Sequence, residues 1–240
     1  MSNLLSRSEI IHFLEAILSA RFEEQWDRLE SLVQSTVAVN NTSLQRETFI
    51  ANLRSNVGNN NISSKLDSSV VDVNAQAIAA RVIKTESISS QESSATQSVQ
   101  YQEIVLAWFT DGRLSAIKSL QDNDARRARQ NSAMGTPAHL LENPIPATVD
   151  LDSTYRQYIG SINEKQWMPP LKRSANHSGR VAARLEFTGV PVKTWADAEP
   201  NGQSVKFHEH VMYWFEQGKI HWVWSIVDLD TYREQCRVKN

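Results

Sequence analysis

The stretch VQYQEIVLAWFTDGRL, Val99–Leu114, aligns without a gap on VKFHEHVMYWFEQGKI, Val205–Ile220. Val, Glu, Val, Trp, Phe and Gly coincide in the two stretches. The match continues upstream, where Ile78–Val82 is similar to Val181–Leu185. Self-similarity over this length predicts one supersecondary unit that is built twice. We call the two units the first copy and the second copy.

Each copy is predicted to begin with an amphipathic helix. In the first copy, Ser6 and Glu9 form a capping box, and apolar residues follow at helical spacing: Ile10, Ile11, Phe13, Leu14, Ile17 and Leu18. In the second copy the same role falls to Tyr155, Tyr158, Ile159 and Ile162. Proline and glycine residues between 131 and 152 are typical of a linker. We therefore predict a complete domain over 1–128, a linker over 129–150 and a shortened domain over 151–240.

The second copy is shorter by one segment. Trp26 and Ala79 are 53 positions apart, whereas the matching Trp167 and Ala182 are 15 positions apart. In the first copy this extra segment predicts a second helix over Leu44–Arg54, with Thr42 and Gln45 as its capping pair. A sheet without that helix must bury its face elsewhere. We expect the second copy to dock on the first copy or on a second chain.

Composition narrows the classes of protein and partner. With 40% hydrophobic and 22% charged residues, the chain is typical of a globular protein. Lys and Arg number 25 against 27 Asp and Glu, so the charge gives no broad attraction for nucleic acid or an anionic membrane. The sequence has no long apolar run or apolar leader, and we expect a cytoplasmic protein. The single cysteine, Cys236, excludes an internal disulfide and a cysteine-based zinc site.

The hairpin in each copy predicts two sheet faces. Phe215–Lys219 is interpreted as a three-residue loop with Gly218 in the left-handed conformation, which pairs Tyr213 with His221. One face, the pocket face, then carries Glu209, Val211, Tyr213, His221, Val223 and Ser225, matched by Tyr101, Glu103, Val105, Ala107, Ser115, Ile117 and Ser119. The opposite, aromatic face carries His210, Met212, Trp214, Ile220, Trp222 and Trp224, matched by Ile104, Leu106, Trp108, Leu114 and Leu120.

The aromatic face is large, nearly uniform and predicted to be an interface. A cation-stabilising cavity lined by Trp214, Trp222 and Trp224 is the alternative. His208 and His210 alternate on one strand and could chelate a metal, but the sequence offers no third ligand, so we predict no metal site. Asp122 and Asp228 end the last strand of each copy and are predicted to cap the helices that follow.

The pocket face mixes small apolar residues with groups that can transfer protons. We predict Glu209, Tyr213 and His221 as an acid–base set in the second copy, or Glu103 with Tyr101 in the first. A carboxylate desolvated there has a raised pKa and can act near neutrality. The alternative is structural, with Glu209 paired to Arg184 and Glu103 to Arg81, because both arginines recur in both copies.

Three segments of the second copy resemble a known family: Val181–Gly189, Glu199–Gln203 and Val205–Asp228. They are similar to SnoaL-like polyketide cyclases, which belong to the nuclear-transport-factor-like, cystatin-like superfamily. The resemblance implies an α+β fold of two tandem cone-shaped domains, each a curved antiparallel sheet with helices packed in its hollow and a ligand pocket at the open end. Family members often dimerise through their sheets, which implies an intramolecular pseudo-dimer here and a homodimer as a further option.

The resemblance implies a cofactor-independent isomerase or cyclase that acts on an apolar polyketide- or terpenoid-like small molecule of secondary metabolism. The competing hypothesis is a non-catalytic ligand-binding or assembly module on the same fold. The His and Asp that known cyclases use fall at Val211 and Ser225, and the family's common His-Asn-Gly is replaced by Val39, Asn40 and Asn41. The five residues named on the pocket face are therefore our candidates for proton transfer.

Overall fold

The computed structural model describes residues 4–57, 61–89, 96–142, 179–216 and 219–237. These residues form, in chain order, α1 Arg7–Phe22, α2 Trp26–Leu32, β1 Val33–Val39, β2 Thr42–Gln45, α3 Arg46–Val57, β3 Asn61–Asp72, β4 Ala77–Ser89, β5 Thr96–Thr110, β6 Arg113–Gln121, α4 Asn123–Ala128, α5 Ala138–Glu142, β7 Gly179–Gly189, β8 Val205–Glu216, β9 Lys219–Val227 and α6 Leu229–Cys236.

The first copy is a six-stranded sheet with three helices on its pocket face. The strand order is β2-β1-β6-β5-β4-β3, and all neighbours are antiparallel except β1 and β6, which are parallel. Apolar residues of α1, α2 and α3 pack against the sheet to form the main core. The capping box of Ser6 and Glu9 is present at the start of α1. The predicted α+β class, with helices packed against a curved sheet, is confirmed.

The second helix of the first copy begins later than predicted. It runs over Arg46–Val57 rather than Leu44–Arg54. Thr42–Gln45 pairs with β1 as strand β2, so Thr42 lies in a strand four residues before the helix begins and not at the predicted cap position. Phe49 and Ile50 are buried in the core, as the helical spacing predicts.

The three strands β7, β8 and β9 repeat the pairing of β4, β5 and β6. Glu103 pairs with Gln121, and 106 positions further on Glu209 pairs with Val227. The same offset relates every other pair of the two hairpins, and each carries a register shift just before the matching Phe109 and Phe215. Strands β4, β5 and β6 therefore share one topology with β7, β8 and β9.

The predicted hairpin pairing is wrong for two reasons: Lys219 pairs with Glu216 rather than with Phe215, and the bulge then shifts the register by one further residue. Tyr213 lies opposite Val223 rather than His221, and Glu216 lies opposite Lys219. The shift is a β-bulge: Trp214 pairs with Trp222 and Phe215 with Ile220, which leaves one extra residue, His221, on β9.

The bulge also changes which face some residues occupy. Leu114 and Ile220, which we assigned to the aromatic face, pack with pocket-face residues. Because side chains alternate along a strand, one extra residue moves the following side chains to the opposite face.

The aromatic faces of the two sheets pack on each other. Their shared cluster contains Ile104, Leu120, Met212, Trp214, Trp222, Trp224 and Ile226. The guanidinium of Arg81 lies 3.7 Å from the centre of the Trp224 ring. The prediction that this face is an interface is confirmed.

The predicted linker contributes to that interface. Leu140, in α5, is buried in the shared cluster, and the Thr136 amide donates to Asp67 at 2.9 Å. The Trp224 indole in turn donates to the Thr136 hydroxyl at 2.9 Å. The domain boundaries stay predictions, since the expected helix at Tyr155–Ile162 lies outside the described residues. None of the helices within the described ranges is long and apolar enough to cross a membrane.

Candidate functional site

A cleft of about 1060 Å³ opens at one end of the first sheet. Its walls come from α1, α3, α4 and strands β3 to β6 of the first copy, and from Trp195 and the segment 225–230 of the second copy. Such a volume is slightly above the usual range of about 300–1000 Å³ for a small-molecule site. Residues of both copies therefore line one cleft.

A buried ion pair lies in the wall of this cleft. Lys84 Nζ is 2.7 Å from a carboxylate oxygen of Glu103, and the two side chains are 6% and 7% exposed. Lys84 on β4 and Glu103 on β5 share the pocket face with Val82, which pairs directly with Glu103. Burial acts to raise the pKa of the Glu103 carboxyl, but Lys84, with smaller contributions from Arg21 and Ser119, outweighs burial and the pKa is lowered. Glu103 is therefore a carboxylate at neutral pH.

Lys84 is oriented by a chain of side-chain amides. It donates to Gln121 Oε1 at 2.9 Å, and Gln121 Nε2 donates to Asn123 Oδ1 at 2.9 Å. Asn123 Nδ2 in turn donates to Asp230 of the second copy at 2.8 Å. All of these residues line the cleft. Because each donor in the chain meets an acceptor, the chain fixes the ammonium position and links it to the second copy.

The second copy does not repeat this ion pair. Glu209 matches Glu103, but the positions of Lys84 and Gln121 are taken by Phe187 and Val227. Glu209 is half-buried and accepts a hydrogen bond from the Ser225 hydroxyl. At these matching positions, the first copy has a buried ion pair and the second copy does not.

Tyr213 and His221 do not form the predicted proton-transfer pair. Tyr213 is buried beside Val211 and Phe215. His221 is 46% exposed at the bulge, with its Nδ1 3.4 Å from Glu216. The bulge separates the two side chains and explains why this predicted pairing is wrong.

Tyr101 is fully buried outside the lining of the cleft. Its ring packs with Val99 and Ala125, and Arg126 lies 5.8 Å from the ring centre. Burial raises the pKa of the phenol to about 12. Tyr101 is therefore protonated at neutral pH. It lies directly opposite Lys84 across β4 and β5 but does not line the cleft.

The alternative glutamate–arginine pairs are wrong as well. Arg81 binds Asp67 at 2.7 Å and Gln102 at 2.8 Å, because its place opposite Ile104 directs it to the aromatic face. Arg184 lies opposite His210 on the equivalent face. The recurring arginines thus belong to the interface between the sheets.

Sequence reasoning did not select Lys84, Gln121 or Asn123. Lys84 had one available signal: it continues the alternation of Ile78, Ala80 and Val82, so a charged side chain falls on an apolar face of a central strand. Such a residue needs a buried partner. Gln121 and Asn123 carried no comparable signal, because polar residues are common at the end of a strand.

Within the described ranges, no group of three or more histidine, cysteine or acidic residues could hold a metal ion. His210 Nδ1 is bonded to the carbonyl of Ile104 at 3.0 Å, and His208 Nε2 lies 3.3 Å from Glu186. The two imidazoles are thus engaged with different partners.

Helices packed on one face of a curved sheet, with a cleft at its open end, define an α+β cone fold. Residues 172–236 match the family model of the SnoaL-like polyketide cyclases. The family resemblance stated from the sequence is confirmed over this segment. No curated protein matches the chain.

Solved structures similar to this chain include members of that family and an epoxide hydrolase. A SnoaL-like polyketide cyclase of Agrobacterium tumefaciens has 18% identity and a TM-score of 0.43, with 50% of this chain and 96% of that chain covered. IdmH of Streptomyces antibioticus, described as a polyketide cyclase, has 12% identity and a TM-score of 0.43, with 50% of this chain and 96% of that chain covered. An LEH-like epoxide hydrolase of M. tuberculosis has 17% identity and a TM-score of 0.41, with 51% and 89% covered.

Proposed function

We propose that the protein is a cofactor-independent isomerase or cyclase that uses general acid–base chemistry on an apolar polyketide- or terpenoid-like small molecule. The observation that carries the proposal is the Lys84–Glu103 pair in the wall of the cleft. The pair supplies a base and a cationic hydrogen-bond donor within one small volume. Leu18, Phe22, Leu53 and Ile62 supply apolar lining.

The pair is suited to removing a proton next to a carbonyl group. The Glu103 carboxylate takes the proton from carbon, and the electron pair of that C–H bond moves to the carbonyl oxygen as an enolate. The ammonium of Lys84 stabilises the negative oxygen, which is the role of an oxyanion-hole donor. Return of the proton from Glu103 to a different carbon gives an isomer. Alternatively, the enolate carbon attacks a second carbonyl, which forms the C–C bond of a ring and an alkoxide, and Glu103 returns its proton to that alkoxide. Neither step needs an oxidant.

The second candidate is a non-catalytic binding or assembly module. It is favoured by the second copy, where Phe187 and Val227 replace Lys84 and Gln121. A binding protein would retain the cleft without needing Glu103 as a base.

The substrate class and a homodimer of the whole chain stay predictions.

Solvent exchange tests the proposal without knowledge of the natural substrate. The probe is 2-tetralone, a bicyclic ketone whose protons next to the carbonyl exchange with D2O and are followed by NMR. We expect the wild-type chain to accelerate exchange and Glu103→Gln to lower the rate about 10²- to 10⁴-fold. The matched comparison is Glu209→Gln, at the equivalent position of the second copy, which should retain the rate. An unchanged rate in Glu103→Gln rejects the proposal, and loss of exchange only in Glu209→Gln moves the base to the second copy.

A further inference from the structure

The second copy contributes an exposed aromatic side chain to the cleft of the first. Trp195 lines the cleft and is 46% exposed, whereas Phe207 and Tyr232, on which it packs, are buried. An indole is large and apolar, so leaving half of it in water forgoes burial energy. Core packing therefore does not explain why a tryptophan stands at position 195.

The backbone that carries Trp195 is a tight turn. Trp195 and Ala198 exchange both backbone hydrogen bonds, at 3.2 and 3.0 Å. The two residues between them, Ala196 and Asp197, have φ values of 51° and 61°. Non-glycine residues in this left-handed region are unfavourable, so the surrounding structure must hold the turn in place.

Arg233 holds this turn and joins it to the first copy. Its Nε donates to the carbonyl of Ala196 at 2.7 Å, while its two terminal nitrogens bind Asp124 at 2.8 and 2.7 Å. Asp124 is itself part of the cleft wall. The turn is thus fixed relative to the cleft.

The indole ring is also fixed in orientation. Its centre is 4.7 Å from that of Tyr232, at an interplanar angle of 67°, and 5.7 Å from that of Phe207. Edge-to-face packing of this kind immobilises a ring. A rigid aromatic surface at the rim of a cleft costs little entropy when a flat ligand stacks on it.

We propose that Trp195 is a ligand-contacting residue supplied by the second copy, and that the ligand has a planar unsaturated ring that stacks on the indole. This inference rests on the proposed function for the location of the binding site and narrows its substrate class. In this arrangement the shortened copy forms a wall of the site in the first copy.

Two probes with the same carbon skeleton distinguish stacking on the indole from a contact that depends only on ligand size, because only one of them has an aromatic ring. They are 2-naphthol, which is planar and aromatic, and its saturated counterpart decahydro-2-naphthol. Calorimetric titration of the full chain gives the dissociation constant for each. We expect Trp195→Leu to weaken 2-naphthol binding about 3- to 10-fold, with little change for decahydro-2-naphthol and near wild-type binding by Trp195→Phe.

The matched control is Phe187→Leu. Phe187 is 41% exposed and stacks on the same Phe207, at 5.3 Å, but it does not line the cleft. This variant should bind both probes as the wild type does, and circular dichroism with thermal melting checks the fold of every variant.

Three results overturn the inference: no 2-naphthol binding by the wild type at millimolar concentration, unchanged binding in Trp195→Leu, or equal weakening of both probes. A different result would overturn the proposed function while leaving the role of Trp195 intact. If Glu103→Gln retains 2-tetralone exchange while Trp195→Leu loses stacking, the catalytic proposal falls and the stacking role of Trp195 stands.

Discussion

Arg127 and Arg233 occupy equivalent positions in the two copies, and each binds an aspartate of the other copy. Arg127 Nη2 lies 2.6 Å from Asp230, and Arg233 Nη2 lies 2.7 Å from Asp124. Asp124 and Asp230 are themselves 106 positions apart, like the two arginines. This reciprocal exchange is what a two-fold axis produces between identical subunits. The two ion pairs therefore link α4 of the first copy to α6 of the second.

Disruption of one of these pairs should have a modest effect on stability. Because Asp124 and Arg233 are partly exposed, a double-mutant cycle of Arg233→Met and Asp124→Asn should give a coupling energy of about 0.5–1 kcal/mol. Urea unfolding measures it. Arg237→Met, at an exposed position beyond the pair, is the control. A coupling energy indistinguishable from zero would show that the pair does not stabilise the contact between copies.

Acid should weaken the same contact. The hydrogen bonds from Arg233 lower the pKa of Asp124 to about 2, from an ordinary value of 3.8. The pair contributes its full stability above pH 4, and this contribution is lost as the pH falls from 4 towards 2. Unfolding of the wild type should therefore depend more steeply on pH in this window than unfolding of Asp124→Asn. Equal slopes would contradict the assignment.

Lys84→Met should leave Glu103 as an unpaired charge in a buried position. We expect a loss of about 3–5 kcal/mol in the free energy of unfolding at pH 7. Without Lys84, burial is no longer outweighed, so the pKa of Glu103 should rise and stability should improve as the pH is lowered towards 5. Carboxyl carbon NMR measures the pKa directly. The double variant Lys84→Met with Glu103→Leu should recover part of the loss, and no recovery would mean that steric effects dominate.

His210 gives the interface a second dependence on pH. Burial lowers the pKa of this imidazole to about 4, and Arg184 and Lys118 add to the effect. Its neutral form is therefore favoured in the folded state, so stability is full above about pH 6.5 and is lost as the pH falls to 4.

Each pKa unit is worth about 1.4 kcal/mol, so we expect His210 to account for about 2–3 kcal/mol over this range. His210→Met should remove that part of the pH dependence of unfolding. His221→Asn, at an exposed position, should leave it unchanged. If both variants follow the wild-type curve, His210 does not titrate as described.

Asn123→Ala interrupts the chain from Asp230 to Lys84. We expect a fall of about 10-fold in kcat for 2-tetralone exchange with little change in KM, because Lys84 is displaced while the cleft keeps its shape. The control is Asn131→Ala, since Asn131 binds the Gln100 amide and does not line the cleft. A change confined to KM would mean that Asn123 contacts the ligand instead of positioning Lys84.

Much of the fold could be predicted because the same local signals occur twice. The caps at Ser6, Asp122 and Asp228 depend on residues close together in sequence, and all three are found in the structure. The aromatic face followed from alternation along β5 and β8. Local periodicity therefore predicted elements, caps and the buried contact between sheets.

The site was harder to predict because it depends on single residues and on contacts between distant segments. The bulge at His221 adds one residue to β9 and shifts the alternation at that point, and no residue in the sequence marks its position. The partner of Glu103 is Lys84, on a neighbouring strand. The sequence had suggested Arg81 instead, because an arginine occurs at the matching position of both copies, but Arg81 binds Asp67. Asp230 and Trp195 enter the cleft only through docking of the second copy.

The shared aromatic cluster joins two sheets of one polypeptide, and this connection determines how their docking responds to concentration. Separate subunits dissociate on dilution, whereas tethered ones meet at a fixed effective molarity. Docking of β7–β9 on the first sheet is thus a unimolecular event with a constant one-to-one stoichiometry. Within one chain each half meets a neighbour with a different sequence, so dilution does not remove the asymmetric wall of the cleft.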